Sequence, residues 1–150
     1  HMVIQRDRPI QVWGWADKGY EVSVEFAEEI VKATARNDGT WSVTLKPLAA
    51  NAEGKELRIQ GNDQEITIRD VVVGEVWYAS GQSNMAMTVG SMARDMEIVK
   101  SDIAAANLPA IRFCRINEAE SPQPLDDLRN SATWRPCSPG YRTRCPRCAG

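Results

Sequence analysis

Apolar residues fall on every second position through the first half of the chain. Val22, Val24 and Phe26 share one face of an extended segment, and so do Val31, Ala33 and Ala35, then Trp41, Val43 and Leu45. Leu57 with Ile59, and Ile66 with Ile68, repeat the pattern. A period of two places one face of a strand on a core and the other in water, so the spacing predicts short strands rather than helices. Turn chemistry separates the runs: Asp17-Lys18-Gly19, Asn37-Asp38-Gly39, Asn51 to Gly54 and Gly61-Asn62-Asp63 supply residues that accept positive φ or hydrogen-bond their own backbone. Strands at this spacing predict an antiparallel β-sandwich over residues 1–70. Within it Trp13, Trp15 and Trp41 read as core packing, because large aromatics dominate burial in small sandwiches. The alternative reading is a platform on which sugars stack.

The pattern changes at Val71. Val71 to Ala79, VVVGEVWYA, has little alternation in its first half, as expected of a strand covered on both faces in a parallel sheet. Ser91 to Asn107 carries Met92, Met96, Val99 and Ile103 on one helical face, with Ser91 as N-cap. Ala110 to Ile116 then reads as another buried strand. Strand, turn, helix, strand is the opening of an α/β domain, expected over residues 71–139, with an atypical tail at 140–150.

Composition narrows the classes. The chain has 150 residues, 43% of them hydrophobic, and a formal charge of −2, which excludes a basic nucleic-acid binder and a disordered acidic chain. No apolar run is long enough to span a bilayer, and no signal peptide is present, so the chain reads as soluble with any export signal outside it. Cys114, Cys137, Cys145 and Cys148 are too few and too clustered for a secreted disulfide framework.

Between the expected strand and helix lies Gly81-Gln82-Ser83-Asn84. A hydroxyl at the carboxyl end of a parallel strand sits where ligands bind in open α/β sheets, and backbone N–H groups of a following helical turn can hold a developing oxyanion. That places Ser83 as a nucleophile. The same four residues are also an ordinary turn or helix cap, and they do not match G-x-S-x-G.

A resemblance bears on that choice. MVIQRDRPIQVWGWAD, DGTWSVTLKPL, DVVVGEVWYASGQSNM, and IRFCRI followed by a tryptophan and CSP are similar to successive blocks of the sialate O-acetylesterase family of SGNH hydrolases, over about residues 1 to 139. The resemblance implies a β-sandwich segment followed by the first part of a flavodoxin-like α/β/α domain. It implies that Ser83 is the nucleophile and that its backbone N–H helps form the oxyanion hole. It also implies O-acetyl esters of sugars as substrates, sialic acids or acetylated plant polysaccharides among them, with no metal or organic cofactor.

The departures matter as much. In the family, later blocks supply an oxyanion-hole asparagine and a D-x-x-H motif carrying the base and its partner. Here Cys137-Ser138-Pro139 runs into GYRTRCPRCAG, and the sole histidine is His1. A neutral serine is a poor nucleophile without a base, so hydrolysis by this chain is expected to be weak or nil. Asp95 and Asp102 read as solvated helix positions rather than substitutes. Cys145-Pro146-Arg147-Cys148 is half a zinc site without a second half. Arg135, Arg142, Arg144 and Arg147 make the tail basic, without a stacking motif for nucleic acid. Two function classes stand: a serine carbohydrate O-acetylesterase, here incomplete, and a non-catalytic β-sandwich that supports a catalytic domain or binds carbohydrate. An apolar α/β face left uncovered would be met by a second copy of the chain or would pack loosely.

Overall fold

The computed structural model describes residues 1–61, 63–94, 96–116, 120–128 and 132–139, and these are mostly β-strand with few, short helices. The chain divides into two compact units, His1–Val76 and Trp77–Gly150.

The first unit holds β1 (Met2–Gln5), β2 (Ile10–Trp15), β3 (Glu21–Phe26), β4 (Glu29–Thr34), β5 (Thr40–Leu45), β6 (Asn51–Gly61) and β7 (Gln64–Gly74). A five-stranded sheet runs in the order β1-β7-β6-β3-β4, and β2 pairs with β5 in a sheet of two strands. Alternation puts Val22, Val24 and Phe26 of β3, Trp41, Val43 and Leu45 of β5, and Ile10, Leu57, Val71 and Val73 into one shared core. Full burial of each such side chain contributes about 1.5–3 kcal/mol relative to exposure, so this core dominates the stability of the unit.

Most neighbouring strands are antiparallel, as expected, but β1 runs parallel to β7, with Met2 opposite Val71 and Gln5 opposite Gly74. Parallel neighbours need a long connection between them, and here the rest of the unit provides it. This pairing corrects the reading of Val71 to Ala79. The buried run Val71–Val73 is the end of β7, flanked by β1 and β6 in the sheet of the first unit, and regular strand stops at Gly74. A run covered on both faces and paired on both edges reads the same in either kind of sheet. The sequence signal was real, but it does not identify the partner strands.

Turns follow local chemistry in part. At Arg36–Gly39 the Gly39 N–H donates to the Arg36 carbonyl (3.0 Å), and Gly39 takes φ +81°, a conformation that costs glycine nothing. Asp38 Oδ1 accepts from the Thr40 N–H at 2.9 Å and from its hydroxyl at 2.8 Å. By contrast Asn51 to Gly54, expected as a turn, lies inside β6, where the pairing with β7 shifts register between Asn51, Lys55 and Leu57. The bulge absorbs the turn-type residues: the Asn51 side chain accepts from the Glu53 N–H (2.9 Å), and any Cβ at Gly54 would collide with Asp70. One hairpin was not foreseen. Phe26 pairs with Glu29, leaving Ala27 (φ 49°) and Glu28 (φ 70°) as a two-residue loop with both φ values positive.

In the second unit, the single helix expected over Ser91 to Asn107 is divided. The short α1 (Ser83–Ala86) is followed by α2 (Val89–Met92) and α3 (Glu97–Ala105). Thr88, not Ser91, caps α2: its hydroxyl accepts from the Ser91 N–H at 3.2 Å, and the Ala93 N–H returns to the Val89 carbonyl to close the turn. Met96, expected mid-helix, is extended (φ −130°) and opens α3. β8 (Leu108–Cys114) covers most of the strand expected at Ala110 to Ile116, but it pairs antiparallel with β9 (Trp134–Cys137) and is exposed through Ile111. The parallel pairing expected with Val71 to Ala79 is therefore not formed among the described residues. No helix among them is long and apolar enough to cross a membrane.

Candidate functional site

Ser83 is reached from the end of β7. The Arg6 N–H donates to the Gly74 carbonyl at 3.0 Å, and the Gln5 side chain holds the next residues. Its carbonyl oxygen accepts from the Val76 N–H (2.8 Å), and its amide donates to the Glu75 carboxylate (3.2 Å). The parallel β1–β7 pair thus fixes the point at which the chain leaves the first sheet. Sequence reasoning did not single out Gln5, because its role depends on a residue 71 positions away.

Beyond Val76 the chain has no regular secondary structure as far as Gly81, and Trp77 and Tyr78 are 88% and 86% exposed. Gln82 is extended (φ −103°, ψ −150°), and Ser83 is the first residue of α1. The Met85 N–H donates to the Gln82 carbonyl at 2.8 Å, closing the first turn. A Cβ on Gly81 would lie 2.7 Å from Met85 Cγ, so a larger residue there would oblige the Met85 side chain to shift. As the first helical residue, Ser83 has a backbone N–H with no partner within its own helix, the kind of donor that can meet a developing negative charge.

The Ser83 side chain is exposed, and among the described residues nothing hydrogen-bonds its hydroxyl. His1 is engaged within the first unit, where its Nδ1 meets the Asp70 carboxylate and its terminal ammonium donates to the Arg69 carbonyl at 3.2 Å. Asp102 is exposed on α3, whereas Asp95 lies outside the described residues. Burial pushes the Cys114 thiol up from its ordinary range, away from the lowered value of a reactive cysteine. Cys145 and Cys148 lie outside the described residues, and among those described no cluster of His, Cys, Asp or Glu could hold a metal ion.

The three tryptophans separate. Trp41 is 6% exposed and belongs to the core, with its indole lying over Gly14, the opposite residue on β2. Trp13 and Trp15 are 51% and 54% exposed, which corrects the core reading for both. Ile10, Val12 and Gly14 take the inner face of β2, so Gln11, Trp13 and Trp15 must take the outer one. The indoles pack edge to face, with centroids 5.3 Å apart and planes at 86°. The signal was present in IQVWGW, had Gly14 been counted with Ile10 and Val12 as the inward set.

No protein-family profile matches the chain. Among curated proteins it is similar to the sialate O-acetylesterase of Mus musculus, 31% identical over 138 residues, covering 85% of this chain and 25% of that protein. It is also similar to the sialate O-acetylesterase of Homo sapiens, 27% identical over 141 residues, covering 85% of this chain and 26% of that protein. The chain therefore spans about a quarter of the length of the curated relatives it matches. A crystal structure of a carbohydrate acetylesterase from Xanthomonas citri matches with a TM-score of 0.88 and 32% identity, covering 96% of this chain and 32% of that one.

Proposed function

The chain is sialate O-acetylesterase-like, and from that likeness we propose that it carries the nucleophile-bearing part of a carbohydrate O-acetylesterase, with Ser83 as the nucleophile. The observation that carries the reading is the match to carbohydrate acetylesterases over most of this chain, which includes the GQSNM segment. In fold terms, the proposal is a β-sandwich followed by the opening of a flavodoxin-like α/β/α domain. The first part is supported by two sheets sharing one core, and the second by the turn, helix and strand order after Trp77.

In the proposed reaction the Ser83 Oγ attacks the carbonyl carbon of a sugar acetate while a base takes its proton. The tetrahedral oxyanion is met by backbone N–H groups, that of Ser83 among them. The sugar hydroxyl then leaves with a proton, and water releases acetate from the acetyl-serine. Among the described residues no base hydrogen-bonds Ser83, which supports the reading that this chain supplies only part of the machinery. Enzymes stripped of the base in such a triad retain about 10³ to 10⁴ over water from binding and oxyanion stabilisation. Hydrolysis of an aryl acetate by the chain is expected to be weak and to fall to background in Ser83→Ala. An unchanged rate in that variant removes Ser83 from the role.

A second reading is favoured by Trp13 and Trp15, whose exposure suits a unit that contacts carbohydrate without catalysing. It predicts glycan binding that survives Ser83→Ala.

A further inference from the structure

We propose that the outer face of the β2–β5 sheet is a carbohydrate-binding platform that stacks a pyranose ring of a neutral polysaccharide on Trp13 and Trp15. The proposal takes from the functional reading above only that the chain works on glycans. It stands apart from the chemistry at Ser83.

The register sets out the face. Gln11 lies opposite Thr44, Trp13 opposite Ser42 and Trp15 opposite Thr40, so the two indoles have hydroxyl-bearing residues as cross-strand neighbours. Arg36 borders the same face, donating to the Thr40 hydroxyl at 3.1 Å and to the Ser42 hydroxyl at 3.4 Å. A sugar ring needs this mixture: a π-face for its axial C–H bonds, which carry partial positive charge, and donors and acceptors around it for its hydroxyls. The perpendicular rings supply a floor and a wall at 86°. A strand needs no tryptophan on its wet face, since Thr gives comparable β-propensity without exposing an indole.

Charge selects the class of glycan. The Arg36 guanidinium that borders the face is accompanied by the Asp38 carboxylate, which accepts from the Thr40 hydroxyl, so this cation has an anion beside it. With its charge offset in this way Arg36 is a poor anchor for an acidic sugar, and a neutral chain meets no repulsion.

Affinity electrophoresis of the 150-residue chain through gels containing xylan, mannan or β-glucan tests the platform, beside a parallel gel containing a sialylated glycoprotein. The parent chain is expected to be retarded by at least one neutral polysaccharide. The double variant Trp13→Thr/Trp15→Thr should lose at least about tenfold in affinity while its melting temperature holds. Ser83→Ala should bind like the parent, which separates failure of the nucleophile assignment from failure of the platform. Absence of retardation by every neutral polysaccharide, retention by the sialylated gel alone, or parental affinity in the double variant overturns the proposal. If the double variant melts early, acrylamide quenching of Trp77→Phe, whose most exposed indoles are Trp13 and Trp15, decides: the retarding polysaccharide must shield them, and unchanged quenching overturns the proposal.

Discussion

The two units are built from chains of similar apolar content, yet they bury side chains very differently. In the first, strands from two sheets send alternate residues into one cluster, and Val24, Phe26 and Val71 are at most 1% exposed. In the second, neither α2 nor α3 buries a residue, and among the described residues only Ala106 and Cys137 are buried hydrophobics. Of the face expected to be apolar, Met92, Val99 and Ile103 are only half-buried and Met96 is 49% exposed, while Ile98, off that face, is 71% exposed. A helix that buries nothing rests on propensity and local pairs, such as Lys100 with Glu97 at 2.5 Å, which contribute only a few tenths of a kcal/mol. The proposed nucleophile therefore belongs to the unit with the smaller core, and the unit with the larger core carries the tryptophan pair.

Truncation in the two units should expose the contrast most strongly. Phe26→Ala is expected to cost about 3–5 kcal/mol and to lower the melting temperature of the first unit sharply. Ile98→Ala, at an exposed helix position, should stay within about 0.5 kcal/mol. Chemical denaturation followed by circular dichroism reads both, and equal losses would show that α3 is buried against something.

A smaller effect runs in the stabilising direction. Ala27 and Glu28 hold positive φ in a two-residue hairpin loop, a conformation that costs a residue with a Cβ roughly 1–2 kcal/mol. Replacing the pair with Asn-Gly, the favoured sequence for such a turn, should raise stability by about 1–2 kcal/mol. No gain in the denaturation midpoint would mean that neighbouring contacts already offset the strain.

The smallest expected effect is a pH dependence confined to the first unit. The Asp38 carboxyl is held below its usual range, first by the backbone N–H of Thr40 and then by its hydroxyl. A carboxyl depressed in the folded state stabilises that state fully above its unfolded pKa of about 4, and the contribution fades as pH falls through the lower folded value. Thermal melts between pH 7 and pH 3 should show a shallower acid loss in Asp38→Asn than in the parent. Identical pH profiles would remove this turn from the acid response.

Local pattern carried a large share of this molecule. The alternation from Val22 to Leu45 is a property of neighbours in sequence, so it specified strands and their inward faces without reference to partners. Gly39 did the same for its turn, because positive φ is a local demand that glycine meets at no steric cost. The GQSNM segment likewise marked Ser83 as the residue to examine. Everything that required a distant partner was left to the tertiary structure. VVV reads as a strand covered on both faces in any sheet, and only the approach of Met2 to Val71 assigned it to the first unit. Asn51 to Gly54 has turn chemistry, but the Asp70 strand beside it made a bulge. Trp13, Trp15 and Trp41 are the same residue type on paired strands. Trp41 became core because Gly14 opposite it left room for an indole on the inner face, and the odd positions of β2 were turned toward water. Composition cannot distinguish these outcomes, because burial is decided by which surfaces meet, and that is settled by pairings between residues far apart in the chain.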